Sequence, residues 1–551
     1  NWYNNGNEVP TDKKSAKEYW DDRLKKVATF ASTDEYLLMN GCDHQPVQAD
    51  LGKAIEVASE LYPDINFKHS NFPDYIKAIK EKVPNDLAVV KGELTSQDTD
   101  GWSTLINCAS SHIYLKQMNR KCESALENGA EPVRVLSSVL GQNYPSDELE
   151  YSWKKLMQNH PHDSICCCSV DEVQDEMATR FNKSKQVADY LVSEGTRYIA
   201  DKINTKEYEK YKNALPFVVF NTTGRKRTSV VSVEIDVTRK SGWLKKCAYD
   251  LDEINVPNYK LIDSAGNSIP FKIEDLGVRF GYDLPKDKFR QPYMARRVRV
   301  TFEAENISAV GYKTYALVEG DAEKVTDTLV SGENCMENDA IRVEINKNGS
   351  LNVTDKASGR TYKGVAYYEE TGDLGNEYMY KMPEGSKAIT TQDTVAKIEL
   401  AEDEPYRAMY KITNTITVPK SGDDNFEDEK RHMVFFKERV GGRSNDTVEM
   451  KIETFVSLDK NGKGVKIKTR FDNEVKDHRV RIMVPTGINS DVHKADSVFE
   501  VVTRNNRHNA GWNNPSGCEH EQGFVSIDDG EKGIAVANIG LYEYEMLPDL
   551  D

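Results

Sequence analysis

The sequence predicts a multidomain chain that passes from an α/β segment through a helical bundle into antiparallel β-sandwich. Three observations predict it. Strand and helix signals alternate over residues 1–95, a 3.6-residue apolar period holds over 96–205, and a period of two takes over across 206–551. At 551 residues the chain exceeds what one hydrophobic core fills, so separate domains are expected, with two subdomains in the β region.

In the first segment Tyr19, Trp20, Leu24 and Val27 fall at helical spacing between Lys14 and Phe30. The continuous apolar run Tyr36, Leu37, Leu38 and Met39 then reads as a buried parallel strand. A helix from about Asp50 to Leu61, a short strand at Ile65 to Phe67, a helix from about Pro73 to Lys82 and a strand at Leu87 to Val90 complete the alternation. Such alternation implies a parallel sheet covered by helices on both faces.

Between Gly101 and Ile203 the strand signal fades. Leu149, Trp153, Leu156 and Met157 share one helical face, and Val173, Met177 and Phe181 another, which predicts a helical bundle. Pro161 must end the first of these helices, and Ser169 with Glu172 forms a capping box that starts the next. NHPHDSICCC therefore lies on a turn between helices.

After Pro216, Val231, Val233, Ile235 and Val237 alternate, as do Val298, Val300 and Phe302, and Ile341, Val343 and Ile345. Asn348-Gly349 and Ser358-Gly359 supply turns, so antiparallel sandwich is expected. The acidic run DDNFEDEK after Gly422 reads as a solvated loop.

The formal net charge of −17 disfavours nucleic acid or an anionic membrane as partner, since both would be repelled at long range. No apolar run approaches the roughly 20 residues that span a bilayer. Nine cysteines, three of them consecutive at Cys166, Cys167 and Cys168, show no disulfide spacing, so a reducing, cytoplasmic compartment is expected. With no CxxC pair, any metal would be held by histidine and carboxylate. The sequence lacks a Gly-rich phosphate loop and a G-x-S-x-G elbow, which removes support for kinases and α/β-hydrolases.

Two constellations remain. In NGCDHQPVQ, Asn40 to Gln48, Asp43 and His44 follow the apolar run, where strand ends in α/β sheets place reactive groups; an Asx-turn or helix cap is the alternative. In His160-Pro161-His162-Asp163, two imidazoles and a carboxylate on a turn can coordinate a divalent metal, with Asp163 as supporting or substrate-facing acceptor. Exposed turn residues are the alternative there. His478 and Arg479, beside Val480, Ile482 and Val484, are expected on a solvated sheet face.

At NGCDHQPVQ and QNHPHDSICCCSVDEV the chain resembles bacterial α-mannosidases of glycoside hydrolase family 38, and the likeness extends to KGELTSQDTDGW, FDNEVKDHRVR and GDLGNEYMY. The resemblance implies the C-terminal portion of a (β/α) catalytic domain over 1–95, a three-helix-bundle middle domain over 96–205, and β-sandwich domains to 551. It implies a retaining, zinc-dependent hydrolase that releases terminal α-linked mannose from glycans or oligosaccharides. A small-mannoside hydrolase of the mannosylglycerate type, or a non-catalytic carbohydrate-binding scaffold, are the other readings. A homo-oligomer is compatible with all three.

By position in the motif, Asp43 matches the family's acid/base, His162 a zinc-binding histidine and Asp163 the carboxylate beside it; His44 is a further substrate-side candidate. In this chemistry a carboxylic acid protonates the leaving oxygen, a second carboxylate roughly 5 to 5.5 Å away attacks C1, and the first then activates water. Asp43 would need a raised pKa to start protonated. The family usually carries Gly where this chain has Cys167, so a positive φ there would strain the turn holding His162. Its first zinc ligands come from a His-x-Asp motif with the nucleophile after it, and no His-x-Asp occurs here. The expectation is a chain that begins after those elements and ends short of the family's last β segment.

Overall fold

The computed structural model describes residues 4–89, 91, 93, 105–323, 325–376, 378–507 and 517–548. The chain divides into two compact units, Asn1–Thr95 and Ser96–Asp551.

In the first unit Asp12 caps helix α1 (Lys13–Phe30) by accepting from Ser15 N at 2.9 Å, and Asn71 caps α3 (Phe72–Lys80) by accepting from Asp74 N at 3.0 Å. Between them lies α2 (Leu51–Leu61), whose small Ala54 and Ala58 leave room for the buried Trp20 of α1. Phe67 closes the cluster, its ring 4.8 Å from that of Trp20.

The three strands expected here do not form. Among the described residues of this unit there is no strand at all, and KGELTSQDTDGW falls largely outside them, as does Val90. Tyr36 to Met39 is extended, but its neighbour is the irregular segment at Asn5 and Gly6, joined among the described residues by the backbone bond Gly6 N to Met39 O at 2.9 Å. A strand is defined by its ladder, and an apolar run without a paired neighbour stays a loop.

The helical part of the second unit is three long runs. Helices α4 (Ile113–Ala125) and α5 (Glu131–Val139) join through a π-helical stretch, Leu126–Ala130, into one rod. The others are α6 (Ser146–Met157) and the 30-residue α8 (Asp171–Ala200). Leu115, Leu126, Leu156, Met177 and Phe181 are fully buried between them, each contributing about 1.5–3 kcal/mol. Gly195 of α8 lets α5 approach, since a Cβ there would sit 2.5 Å from Val133 Cγ1. The expected capping box is absent: Val170 is the N-cap of α8, and the Ser169 hydroxyl donates instead to Asp163 O at 2.8 Å. The turn after α6 also folds into the single helical turn α7 (His162–Ile165) rather than remaining irregular.

From Leu215 onward the period-two runs become antiparallel ladders. Arg227–Lys240, Gln291–Ile307 and Phe271–Asp283 form one sheet, facing a second that contains Leu215–Asn221, Gly311–Glu319 and Tyr259–Asp263. Val298, Val300, Phe302, Leu261 and Leu317 fill the space between. A second sandwich packs Ile341–Ile345 and Leu351–Asp355 against Arg407–Pro419 and Thr447–Asp459 around Val343, Leu351, Ile412 and Val456. Gly349, at φ +85°, turns the first of its hairpins as Asn348-Gly349 predicted.

Two further expectations fail. The acidic run is helix α10 (Asp424–Arg431), because Asp423 accepts from Phe426 N at 2.8 Å and Phe426 and Glu429 both point inward. A further helix of the β region, α9 (Leu244–Asp252), packs on the first sandwich. Strand His478–Met483 is covered rather than solvated on its polar positions. His478, 5% exposed, contacts the fully buried Glu370, which also pairs with Arg443, while Arg481 pairs with Glu369 and Glu545. Partner carboxylates on neighbouring strands compensate the buried charges, which hydropathy alone does not register. No helix of the described residues is long and apolar enough to cross a membrane.

Candidate active site

The loop that follows Met39 is held to residues 5–9 by polar side chains. Asn5 Oδ1 accepts from Met39 N at 2.7 Å and its Nδ2 donates to Leu37 O at 3.1 Å. Asn40 Nδ2 donates to Gly6 O at 2.9 Å and to Gln48 Oε1 at 3.0 Å. Gln48 clamps Val9 at both ends, accepting from its N at 3.0 Å and donating to its O at 2.8 Å. Both ends of the loop are thus fixed, and Asp43 and His44 are exposed on the turn between. Gly41, at φ +139°, and His44, at φ +61°, supply the backbone reversal. Gly6 is required beneath it: a Cβ there would meet Leu38 Cβ at 2.9 Å.

His162 and Asp163 belong to the second unit, on a turn locked from inside. Asn159 is fully buried and donates to Met177 O at 3.2 Å, and Gln174 donates to Cys167 O at 3.2 Å and Ser169 O at 3.1 Å. Pro161 O accepts from Ser164 N and Ile165 N, which closes α7. With its base held in this way, the turn presents His162 and Asp163 outward, their side chains 82% and 71% exposed and Nε2 to Oδ1 3.5 Å apart. His160 behaves differently. Its Nε2 lies 2.8 Å from Asn119 Oδ1, and partial desolvation holds its pKa below the ordinary histidine range. Cys167 has φ +65° and is 4% exposed, with its Sγ 3.2 Å from the buried Lys116 Nζ. The positive φ implied by the family's glycine is therefore present, and a thiol occupies it.

An imidazole nitrogen and a carboxylate oxygen 3.5 Å apart are donors that a zinc ion accepts, and their exposure leaves them open to one. A catalytic zinc ordinarily takes three protein ligands. Among the described residues no group of three or more His, Cys, Asp or Glu is arranged to hold a metal. The pair supplies two donors, fewer than such a site takes.

The two remaining family-like segments, GDLGNEYMY and FDNEVKDHRVR, come together as a junction that sequence reading missed. Asp373 Oδ1 accepts from Gly375 N at 2.7 Å and Lys381 N at 3.0 Å, and burial pushes its carboxyl up. Arg479 lies 3.6 Å over the Tyr380 ring and pairs with Glu545 at 3.3 Å. Asn107, just before the bundle, accepts from Tyr380 N at 2.9 Å and donates to Glu543 Oε1 at 2.8 Å, and Ser110 Oγ donates to Glu543 Oε2 at 2.5 Å. These residues join the helical part to the β region. The signal in sequence was their mixture of Gly, Asn and Tyr with charge, and nothing local says where such residues meet.

The domains define the class. Residues 103–199 match the alpha mannosidase middle domain, 212–319 the glycosyl hydrolases family 38 C-terminal domain 1, and 336–550 the glycosyl hydrolases family 38 C-terminal domain. The chain belongs to glycoside hydrolase family 38 through these domains. A Halalkalibacterium halodurans protein provisionally named mannosylglycerate hydrolase is 42% identical over 564 residues, covering all of this chain and 62% of its own length. Among solved structures, an alpha-mannosidase from Enterococcus faecalis is 42% identical with a TM-score of 0.95, covering 100% of this chain and 62% of that one. A family 38 protein from the same organism is 38% identical with a TM-score of 0.87, covering 98% and 62%. The chain thus spans about three fifths of the length of the relatives it matches.

Proposed function

We propose that the protein carrying these residues is a retaining, zinc-dependent α-mannosidase that releases terminal α-linked mannose, with Asp43 as acid/base and His162 as a zinc donor supported by Asp163. The observation that supports this most is the pairing of an outward imidazole and carboxylate on a turn otherwise fixed from below, in a chain built of family 38 domains. Asp43, exposed on a loop pinned at both ends, delivers a proton to the leaving oxygen and then takes one from the attacking water. His44, beside it, meets the sugar hydroxyls. Zinc, when bound, supplies a Lewis acid that grips mannose hydroxyls. The attacking carboxylate and the remaining zinc donors are not assigned to residues of this chain.

A second reading is a small-mannoside hydrolase, favoured by the name of the H. halodurans relative. Release of mannose from an aryl α-mannoside, an α-linked mannobiose and mannosylglycerate, each before and after chelation and zinc readdition, tests both. Zinc-restored turnover of the disaccharide supports the first reading; turnover of mannosylglycerate alone selects the second. Turnover that survives exhaustive chelation would overturn the zinc assignment.

A further inference from the structure

An asparagine followed by glycine is chemically labile, because glycine has no Cβ to keep its nitrogen from the side-chain amide before it. The chain holds five such pairs, at Asn5-Gly6, Asn40-Gly41, Asn128-Gly129, Asn348-Gly349 and Asn461-Gly462. The fold protects four of them. Gly6 N donates to Met39 O at 2.9 Å, Gly349 N to Asn346 O at 2.9 Å and Gly462 N to Asp459 O at 3.0 Å. Asn128-Gly129 lies inside the π-helical stretch Leu126–Ala130. In each case the backbone must open locally before the nitrogen can turn on its neighbour. Asn40-Gly41 has no such protection. Both residues are exposed, Gly41 N donates to no acceptor among the described residues, and a Cβ built on Gly41 would meet nothing within 4 Å. We propose that Asn40-Gly41 is a modification site, at which spontaneous deamidation unpins the loop that carries Asp43.

The reaction needs only water. Gly41 N gives its proton to hydroxide and attacks Asn40 Cγ. The new N–Cγ bond closes a five-membered succinimide while the Cγ–Nδ2 bond breaks, and the amide nitrogen takes a proton back from water to leave as ammonia. A second water then opens the ring, at Cγ to give aspartate or at the Asn40 backbone carbonyl to give isoaspartate. One water enters and one ammonia leaves, with no change of oxidation state.

The group that leaves is the one that pins the loop. Asn40 Nδ2 donates to Gly6 O at 2.9 Å and to Gln48 Oε1 at 3.0 Å. A carboxylate in its place has no proton to donate and faces two acceptors. Gln48 cannot answer by turning its amide over, because Val9 N donates to its Oε1 at 3.0 Å while its Nε2 donates to Val9 O at 2.8 Å and Asp50 Oδ1 at 3.0 Å. Both Asn40 bonds are therefore lost, and isoaspartate also lengthens the backbone by one carbon, three residues before Asp43. The modification stands on these contacts alone; its effect on turnover rests on the proposed acid/base role of Asp43.

The test is incubation of the folded protein in mildly alkaline buffer, with peptide mapping by mass spectrometry at intervals and hydrogen exchange on the aged sample. Conversion at Asn40 should run at least about tenfold ahead of the other four pairs, roughly the factor that one retained hydrogen bond supplies. In urea, with the fold removed, the five rates should converge. The aged protein should exchange faster over residues 40–48, and Asn40→Gln, which would have to close a six-membered ring, should neither convert nor loosen with age. Conversion at another pair first, a ranking that persists in urea, or a converted loop that exchanges no faster would each overturn the proposal. Unchanged mannoside turnover in a sample whose loop is converted and loosened would leave the modification standing and count against Asp43 as acid/base.

Discussion

The loop around Asp43 and the turn around His162 present exposed polar groups in similar fashion, yet they are anchored by opposite means. Asn40 and Gln48 hold the loop with hydrogen bonds at partly solvated positions, beside the buried Asn5. Each is worth about 0.5–1.5 kcal/mol. The His162 turn sits on Asn159, Cys167 and Gln174, all under 7% exposed, above the core of Met177 and Phe181. Burial there contributes about 1.5–3 kcal/mol per large side chain. A turn fixed from below can hold a ligand rigidly, while a loop fixed at its edges is the easier one to loosen.

Five substitutions break or sharpen that comparison. The largest effect is expected from Asp43→Asn, which keeps side-chain size and removes the proton. Hydrolysis of mannosides with poor leaving groups should fall about 10²- to 10⁴-fold, and activated aryl mannosides far less. Equal losses for both would count against an acid/base role. On the other side, His162→Ala should lower metal affinity or activity about 10- to 100-fold, and more than His160→Ala, whose ring is already engaged by Asn119. If His160→Ala proves the more damaging, the ligand is misassigned.

Next in size, Gly6→Ala should cost about 1–3 kcal/mol by overpacking Leu38. Denaturation followed by proteolysis should show the loss confined to the first unit, and an unchanged first unit would show that the loop does not depend on that contact. The smallest effect belongs to Cys167→Gly. Relief of the left-handed backbone returns about 1–2 kcal/mol, against about 1–3 kcal/mol for removing the sulfur beside buried Lys116. A net loss of about 0.5 kcal/mol in urea denaturation is expected, and a gain would show that strain dominates.

Much of this was legible in sequence wherever the determinants are local. Helices α1, α2 and α3 fall within a few residues of their periodic signals, and the Asn348-Gly349 hairpin follows from turn chemistry. What failed depends on partners far along the chain. Tyr36 to Met39 has strand composition but no ladder, and Ser169 has the cap residue but spends its hydroxyl on Asp163. The acidic run hid a helix because the inward positions are one Phe and one Glu, and Glu429 accepts from Val440 N and Gly441 N eleven and twelve residues later. At the candidate site the exposed pair His162 and Asp163 was visible as a motif. The Ser111 hydroxyl that bonds Cys166 O was not, since 55 positions separate the two residues.

The contact of Asn107 with Glu543 spans 436 positions. A ribosome adding about 5–20 residues per second needs roughly 20–90 s to make the intervening chain. For that interval the bundle can assemble from its own helices, but the segment at 107–110 has no carboxylate to close on. The clasp therefore closes well after the bundle has been made, and a chain stalled before Glu543 would carry a finished bundle with that latch still open.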